Sequence, residues 1–378
     1  MAGVTTVANR TGRTGHLGTT RVIDLDVVRA VALIGVAAMN FHGYLIVRGG
    51  EVGDSLVNRV FNPWTGPLST RFAATFVLVA GMGVTLLTNR SRLGTDRWAR
   101  STDRWILIRR GVALYAFGYV LDWIWSGTIL FFYGALFLVA SALFTLRIRW
   151  LIAIGATSSL AAAGIQWWAY ERAVDGHDTS WLLGSSFRSP RGLLFDTFVN
   201  GTHPLLPWLT FLCAGMVLGR LLPLSGRWRV GLAAGGAVLV AFTYTLDHVA
   251  SDTPLSTVLV STHPFDRSLI YTVGTLGSSV TAFCLIGWLA QRSRHSMVTR
   301  ALAATGCTTL TLYVLHVLVF NLVVDWHHWV RPAGLDTALA FAGVFWVTAV
   351  VAATLWQRLV GMGPLERVYR RFGGERPA

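Results

Sequence analysis

Lysine is absent from this 378-residue chain, so all 32 of its basic residues are arginine. Charge of either sign is scarce. Only 13% of residues are charged, against about 25% in ordinary soluble domains. Cysteine is limited to Cys213, Cys284 and Cys307, each inside an apolar run and none in a CxxC spacing. This argues against a disulfide framework or a cysteine metal site and leaves small buried hydrophobes. No HExxH or similar spacing of histidines occurs, so no metal is expected. A P-loop and a GxGxxG opening a helix are missing too, and no basic stretch forms a soluble nucleic-acid motif. What is present is apolar: 53% of residues are hydrophobic and 12% aromatic, with 16 Trp and 20 Phe. That composition excludes a disordered chain, argues against a soluble enzyme and fits a protein solvated by lipid.

About 20 apolar residues at 1.5 Å each cross a hydrocarbon core of about 30 Å. Ten such runs are present, at 27–48, 68–88, 105–124, 127–146, 150–170, 204–222, 229–248, 268–290, 301–324 and 336–357. The third and fourth are separated only by Asp122 and Ser126-Gly127, and 190–201 reads as a short interfacial helix. The expectation is an all-α, polytopic membrane bundle of about 10 transmembrane helices. Arginine sets its orientation. With both termini cytoplasmic, the inner segments hold three times as many arginines as the outer ones, while acids lean outward two to one. Residues 1–20 read as a disordered cytoplasmic tail, 21–372 as one transmembrane domain and 373–378 as a second tail. Asn40 and His42 interrupt the first span, which argues for an uncleaved helix over a signal peptide.

Ionisable groups inside a span are costly and usually face a bundle interior or a wet cavity. His42 lies fifteen residues from the start of the first span, and His316 fifteen from the start of the ninth. By helix rise both sit about 22 Å deep, at one level in the outer half of the bilayer. Arg71 falls near the same level. Asn40 points about 200° away from His42 around the helix. Thr309, Tyr313 and His316, spaced i, i+4, i+7, form one polar stripe. The stripe can line a cavity or can be interhelical hydrogen-bond glue. Thr-His-Pro occurs twice, with His203 and His263, each copy ahead of a helix on the outer side. Pro suits a helix start. His327 and His328, flanked by Trp326 and Trp329, read as part of an interfacial belt. Asp26 and Arg29 are i, i+3 at the inner mouth of the first span, either a local ion pair or, with the basic 90–110 segment, a receiver for an anionic group.

The segment Arg21-Val-Ile-Asp-Leu-Asp26-Val-Val-Arg29-Ala-Val-Ala-Leu-Ile-Gly35, running on to Asn40, resembles the opening helix of the YeiB-type membrane family. That family is distantly similar to the catalytic domain of heparan-α-glucosaminide N-acetyltransferase. Four further blocks agree in order. They are Trp64-Thr-Gly66 leading to Arg71 and Gly81; Pro204-Leu-Leu-Pro-Trp208 leading to Gly219-Arg220; Gly306-Cys-Thr-Thr309-Leu-Thr311-Leu-Tyr313-Val-Leu-His316; and Gly363-Pro364-Leu365-Glu366 with Arg370. Ala30 departs from the family Gly and Cys307 from its Arg. Asn62 stands where the heparan enzyme has a histidine implicated in catalysis.

The resemblance implies a membrane acyltransferase in a bacterial plasma membrane. An acyl group, acetyl among the candidates, would pass from cytoplasmic acyl-CoA to an extracytoplasmic sugar, lipid or glycan acceptor. On that expectation His42 is the general base, Asn40 and Tyr313 bind the oxyanion, and His316 orients substrate. Arg71, Trp64, Asn62, Thr309, His203 and His263 bind substrate, while Arg29, Asp26, Arg109 and Arg110 receive acyl-CoA. The bilayer is the obligatory partner, and a homodimer is compatible with the sequence. A transporter or flippase without chemistry is the alternative, weakened by the absence of paired Gly- or Pro-broken helices. A structural partner of another envelope protein is a third.

Overall fold

The first long apolar stretch, poor in breakers and opened by Asp24 and Asp26, forms helix α1 (Ile23–Val47). Acids in a first turn suit the helix dipole. At 25 residues it is about 37 Å long by helix rise. The computed structural model describes residues 23–184, 189–250 and 259–374. The tails expected at 1–20 and 373–378 therefore lie outside the described residues, apart from Gly373 and Gly374. So do Arg21 and Val22 of the opening block.

The remaining elements are α2 (Leu56–Val60), α3 (Arg71–Leu93), α4 (Arg97–Asp122), α5 (Leu130–Leu143), α6 (Ile148–Val174), α7 (Ser180–Leu183) and α8 (Pro190–Phe195). A π-turn segment, π1 (Asp196–Asn200), leads into α9 (Leu205–Arg220) and α10 (Gly226–Val249). Then come α11 (Leu269–Arg292), α12 (Met297–Gly306), α13 (Thr309–Phe320), a second π segment, π2 (Asn321–Trp326), α14 (Leu335–Leu359) and α15 (Pro364–Gly373). Among the described residues there is no strand.

Each of the ten expected runs falls on a helix, but not each qualifies as a span. Among the described residues seven helical stretches, 309–326 taken as one, are long and apolar enough to cross a membrane, and eight if the pair 190–200 and 205–220, bent by 52°, is one span. Helix α4 carries charge in its first half. Helix α5 has 14 residues, about 21 Å by helix rise and short of a 30 Å core. The ninth run is not one helix either: it breaks at Cys307 and Thr308 between α12 and α13. The reason is a carboxylate. Glu366 of α15 accepts the amides of Leu310 (2.6 Å) and Thr311 (3.0 Å) and the Thr311 hydroxyl (2.5 Å), so α13 starts on a side-chain cap instead of on α12.

Helix α1 is the hub, packing on α3, α11, α12, α13 and α14. Around it, α3 packs on α9, α6 on α9, α4 on α5 and α10 on α11. In lipid such contacts depend on small residues and interhelical hydrogen bonds, and both are present. Gly81 of α3 and Gly215 of α9 face each other so closely that a Cβ on either would meet the other helix's carbonyl oxygen. Thr85 Oγ1 donates to Met216 O (2.9 Å), Thr210 Oγ1 to Gly155 O (2.8 Å) and Thr281 Oγ1 to Ala233 O (3.1 Å). At the N-terminal end Asp24 and Arg229 form a buried ion pair at 3.0 Å, and Gln291 donates to the same carboxylate at 2.6 Å. The outward faces are apolar: Val238 and Phe242 on α10 and Val344, Val347 and Val351 on α14 are exposed. Such faces belong in lipid, and the chain is an integral membrane protein.

Replacing Gly215 by Val should separate α3 from α9 at a cost of about 1–3 kcal/mol or more. The expected outcome is a lower thermal midpoint in detergent. An unchanged midpoint would show that the two helices are not in contact there.

Candidate functional site

Two cavities lie along α1, one at each end, and they share a wall. The first, about 390 Å³, is bordered near the start of α1 by Arg29, by Arg110 of α4, by Gly306, Cys307 and Thr309 at the α12–α13 break, and by Glu366 and Tyr369 of α15. The second, about 330 Å³, is bordered near the end of α1 by Asn40 and Tyr44, by Trp64, Thr70 and Phe72, by Ser126 and Gly127, and by Thr202 and His203. Val36, Ile129 and Tyr313 line both. They are the partition between an N-terminal and a far chamber.

The partition is held from the α4–α5 loop. Asp122 Oδ1 accepts the amides of Gly127 (2.8 Å) and Thr128 (3.1 Å). Gly127 sits at φ +82°, where a Cβ would be strained. The loop so fixed presents Thr128 Oγ1 at 2.9 Å and the Ile129 amide at 3.1 Å to Tyr313 Oη. Because the amide can only donate, one lone pair of the phenol is spent on Ile129.

Behind the far chamber, His316 is fully buried. Its Nδ1 faces the Tyr313 carbonyl, which can only accept, so the proton sits on Nδ1. Its Nε2 then accepts from Asn40 Nδ2 at 3.2 Å, which turns the Asn40 carbonyl oxygen free to face the chamber. Residues 40 and 316 are thus level in the bundle. The polar stripe divides in function along its length: Thr309 lines the N-terminal chamber, Tyr313 lines both, and His316 backs Asn40 without reaching either wall.

His42 is turned away, as its 200° offset from Asn40 requires. Its Nδ1 donates to Phe61 O at 2.9 Å, its Nε2 has no partner among the described residues, and it lines neither chamber. Arg71 is also elsewhere. It donates to Thr275 Oγ1 and to the carbonyls of Tyr271 (3.5 Å) and Pro67 (3.4 Å), fastening α3 to α11. Asn62 Oδ1 accepts the amides of Trp64 and Thr65, both at 3.0 Å. It shapes the turn that presents Trp64 and stays off the wall. The two Thr-His-Pro copies differ: His203 is on the far wall, edge-on to Trp208 at 4.5 Å between centroids, whereas His263 is exposed and outside it. Asp26 pairs with Arg29 at 3.5 Å and Arg109 is exposed, and neither lines a chamber.

Several residues of the site escaped the sequence reading. Tyr44 stacks on Trp125 at 3.5 Å and donates to Ser126 O, closing one side of the far chamber. Thr70 on its wall has φ +61°, an outlier for a β-branched residue, and its hydroxyl lies 2.7 Å from Tyr271 Oη. Tyr133 lines the N-terminal chamber with a buried hydroxyl that has no partner among the described residues. Tyr369 lies under the Arg110 guanidinium at 5.5 Å. Burial pushes its phenol up, against the pull of Arg110 and Arg29, so it is neutral and a donor. Arg29, Arg110, Thr309 and the closing Gly-Pro-Leu-Glu block signalled the N-terminal chamber in advance, but not these tyrosines.

The native Cys307 reports on the N-terminal chamber. In a Cys213→Ala, Cys284→Ala background it should react with a small thiol reagent added from the N-terminal side and resist a membrane-impermeant one added from the other. The reverse pattern would invert the bundle.

No curated protein matches this chain. The family described as protein of unknown function (DUF418) matches residues 218–373. The family described as heparan-alpha-glucosaminide N-acetyltransferase, catalytic, matches residues 21–246, a stretch that carries α1, α3 to α6 and most of the wall of both chambers. The chain therefore belongs to the heparan-alpha-glucosaminide N-acetyltransferase catalytic family.

Proposed function

We propose that the protein is a membrane acyltransferase that takes an acyl group from acyl-CoA in the N-terminal chamber and passes it across the Tyr313 partition to an acceptor in the far chamber. The observation that supports this most is the pair of chambers meeting at one wall with a hydroxyl in it. A donor and an acceptor on opposite sides of a membrane need this geometry. In this reading the N-terminal chamber faces the cytoplasm, as the arginine distribution favours. Arg29 and Arg110 sit where an anionic donor would be met, and the apolar remainder of that chamber, Leu33, Phe76 and Phe137 among it, suits an acyl chain.

The acceptor heteroatom attacks the thioester carbonyl. A carbon–oxygen or carbon–nitrogen bond forms, the carbon–sulfur bond breaks, and the CoA thiolate leaves toward the N-terminal side and is protonated there. The developing oxyanion lies at the partition. Tyr313 accepts from the Ile129 amide, and when Thr128 donates to it as well its own proton is available to the oxyanion. The acceptor's proton goes to an imidazole on the far wall, which is His203; His42 reaches neither chamber. Asn40, held by His316, accepts a hydrogen bond from the acceptor and aims it.

The bent 190–200 and 205–220 pair and the α12–α13 break favour a second reading, a carrier, because interrupted helices are what carriers use. The two readings part on chemistry. For the transferase, Tyr313→Phe should lower kcat about 10²–10³-fold and His203→Ala about 10²–10⁴-fold, with thermal midpoints held. Acetyl-CoA should protect Cys307 from thiol reagents, and less so in Arg110→Ala. A protein that neither binds acetyl-CoA nor protects Cys307, yet exchanges a solute across vesicles, would establish the carrier instead.

A further inference from the structure

Among the described residues, no side chain on the wall of the far chamber carries a formal charge. Its polar groups include the Asn40 amide, the Thr202 hydroxyl and the His203 imidazole; its rings include Trp64, 38% exposed, and Phe265. Charged side chains do surround it, and each is committed elsewhere. Arg71 follows Thr70 in sequence but turns to Thr275 and the Tyr271 carbonyl. Asp122 is spent on the Gly127 and Thr128 amides. Arg48 and Asp325 form a two-pronged pair, one contact at 2.6 Å. Arg267 donates to the carbonyls of Asn200 (2.6 Å) and Gly201 (2.8 Å). These five charges around the chamber are answered by a partner or by backbone dipoles, and none reaches the wall.

A charged ligand entering such a chamber would shed its hydration and find no opposite charge to replace it. A neutral hydroxyl loses far less, and it finds an amide oxygen, a hydroxyl and an imidazole to exchange hydrogen bonds with. A ring such as Trp64 adds an apolar face for the C–H surface of a cyclic polyol. Neutral hydroxyls beside apolar ring faces are the chemistry of an uncharged sugar.

We infer that the far chamber selects an uncharged hydroxyl compound of the glycoside or polyol class, discriminates against ammonium and anionic acceptors, and so yields an ester in place of an amide. The ester rests on the transferase reading; the charge selectivity rests on the chamber alone. The acceptor oxygen forms the new bond to the acyl carbon as the carbon–sulfur bond breaks. The hydroxyl proton passes to His203, and the thiolate departs on the other side of the partition.

The test is calorimetric titration of the purified full chain in a sugar-free detergent at mildly acidic pH. The probes are methyl glucoside, its 2-amino-2-deoxy relative as the ammonium form, and glucose 6-phosphate. The neutral glycoside should bind at least about tenfold more tightly than either charged probe. Thr202→Asp should reverse the order for the ammonium probe, while the uncharged Thr202→Asn keeps the original order. A charged probe binding as tightly as the neutral one, or no binding of the neutral glycoside, would overturn the selectivity. A parallel assay with acetyl-CoA separates the two ideas. Neutral-glycoside binding without ester formation would leave the selectivity standing and remove the transferase. Amide formation on the amino sugar would keep the transferase and overturn the selectivity.

Discussion

The hydroxyl of Tyr313 is the point on which the two chambers depend. It is buried between α13 and the α4–α5 loop, and it is tied to Thr128 and to the Ile129 amide. In lipid an untied backbone amide or phenol costs several kcal/mol, so this pairing is obligatory for either group to be there. It also decides shape. The loop is pulled onto α13, Ile129 comes with it, and together with Val36 it closes what would otherwise be one continuous channel along α1. Asp122 supplies the second tie, from the other end of the loop. Partition and loop are one unit.

Around that unit the charges are arranged with economy. The N-terminal chamber keeps Arg29 and Arg110 on its wall, with Glu366 occupied at the start of α13. Among the described residues the far chamber keeps none. The asymmetry is stronger than the arginine bias of the loops alone, because Arg48, Arg71 and Arg267 lie close to the far chamber and are each turned into structural fasteners. Burial lowers the Arg267 guanidinium only to about 10. It remains a cation, answered by two carbonyls.

The helices were legible in the sequence because lipid enforces length and apolarity on each one separately. Even the weak boundary at Asp122 and Gly127 was visible, since a charge and a glycine have to stop a span. Helix rise set His42 and His316 at one level, and the structure pairs His316 with Asn40, two residues before His42; the divergence of Asn40 and His42 followed from helical phase. Which of the two would meet the site was not legible, because that depends on the partner helix facing α1 at that turn. Arg71 misled for the same reason: a cation at membrane depth reads as a ligand group until its partner, here Thr275, is known. The break at Cys307 was hidden because its cause, Glu366, lies more than fifty residues on. His203 and His263 shared a tripeptide and a helix-start signal, yet only one lies where α9 brings it against the chamber.

The cap on α13 has a consequence for how the molecule is made. The carboxylate that answers the Leu310 and Thr311 amides belongs to the last described helix. During synthesis every helix before α15 is made while those amides still lack it. The start of α13, and with it the setting of Thr309 and Tyr313, is completed only when the C-terminal segment has left the ribosome. A chain cut short before Glu366 would keep its long apolar helices and still lack a finished N-terminal chamber, so α15 acts as the closing stitch of that interior.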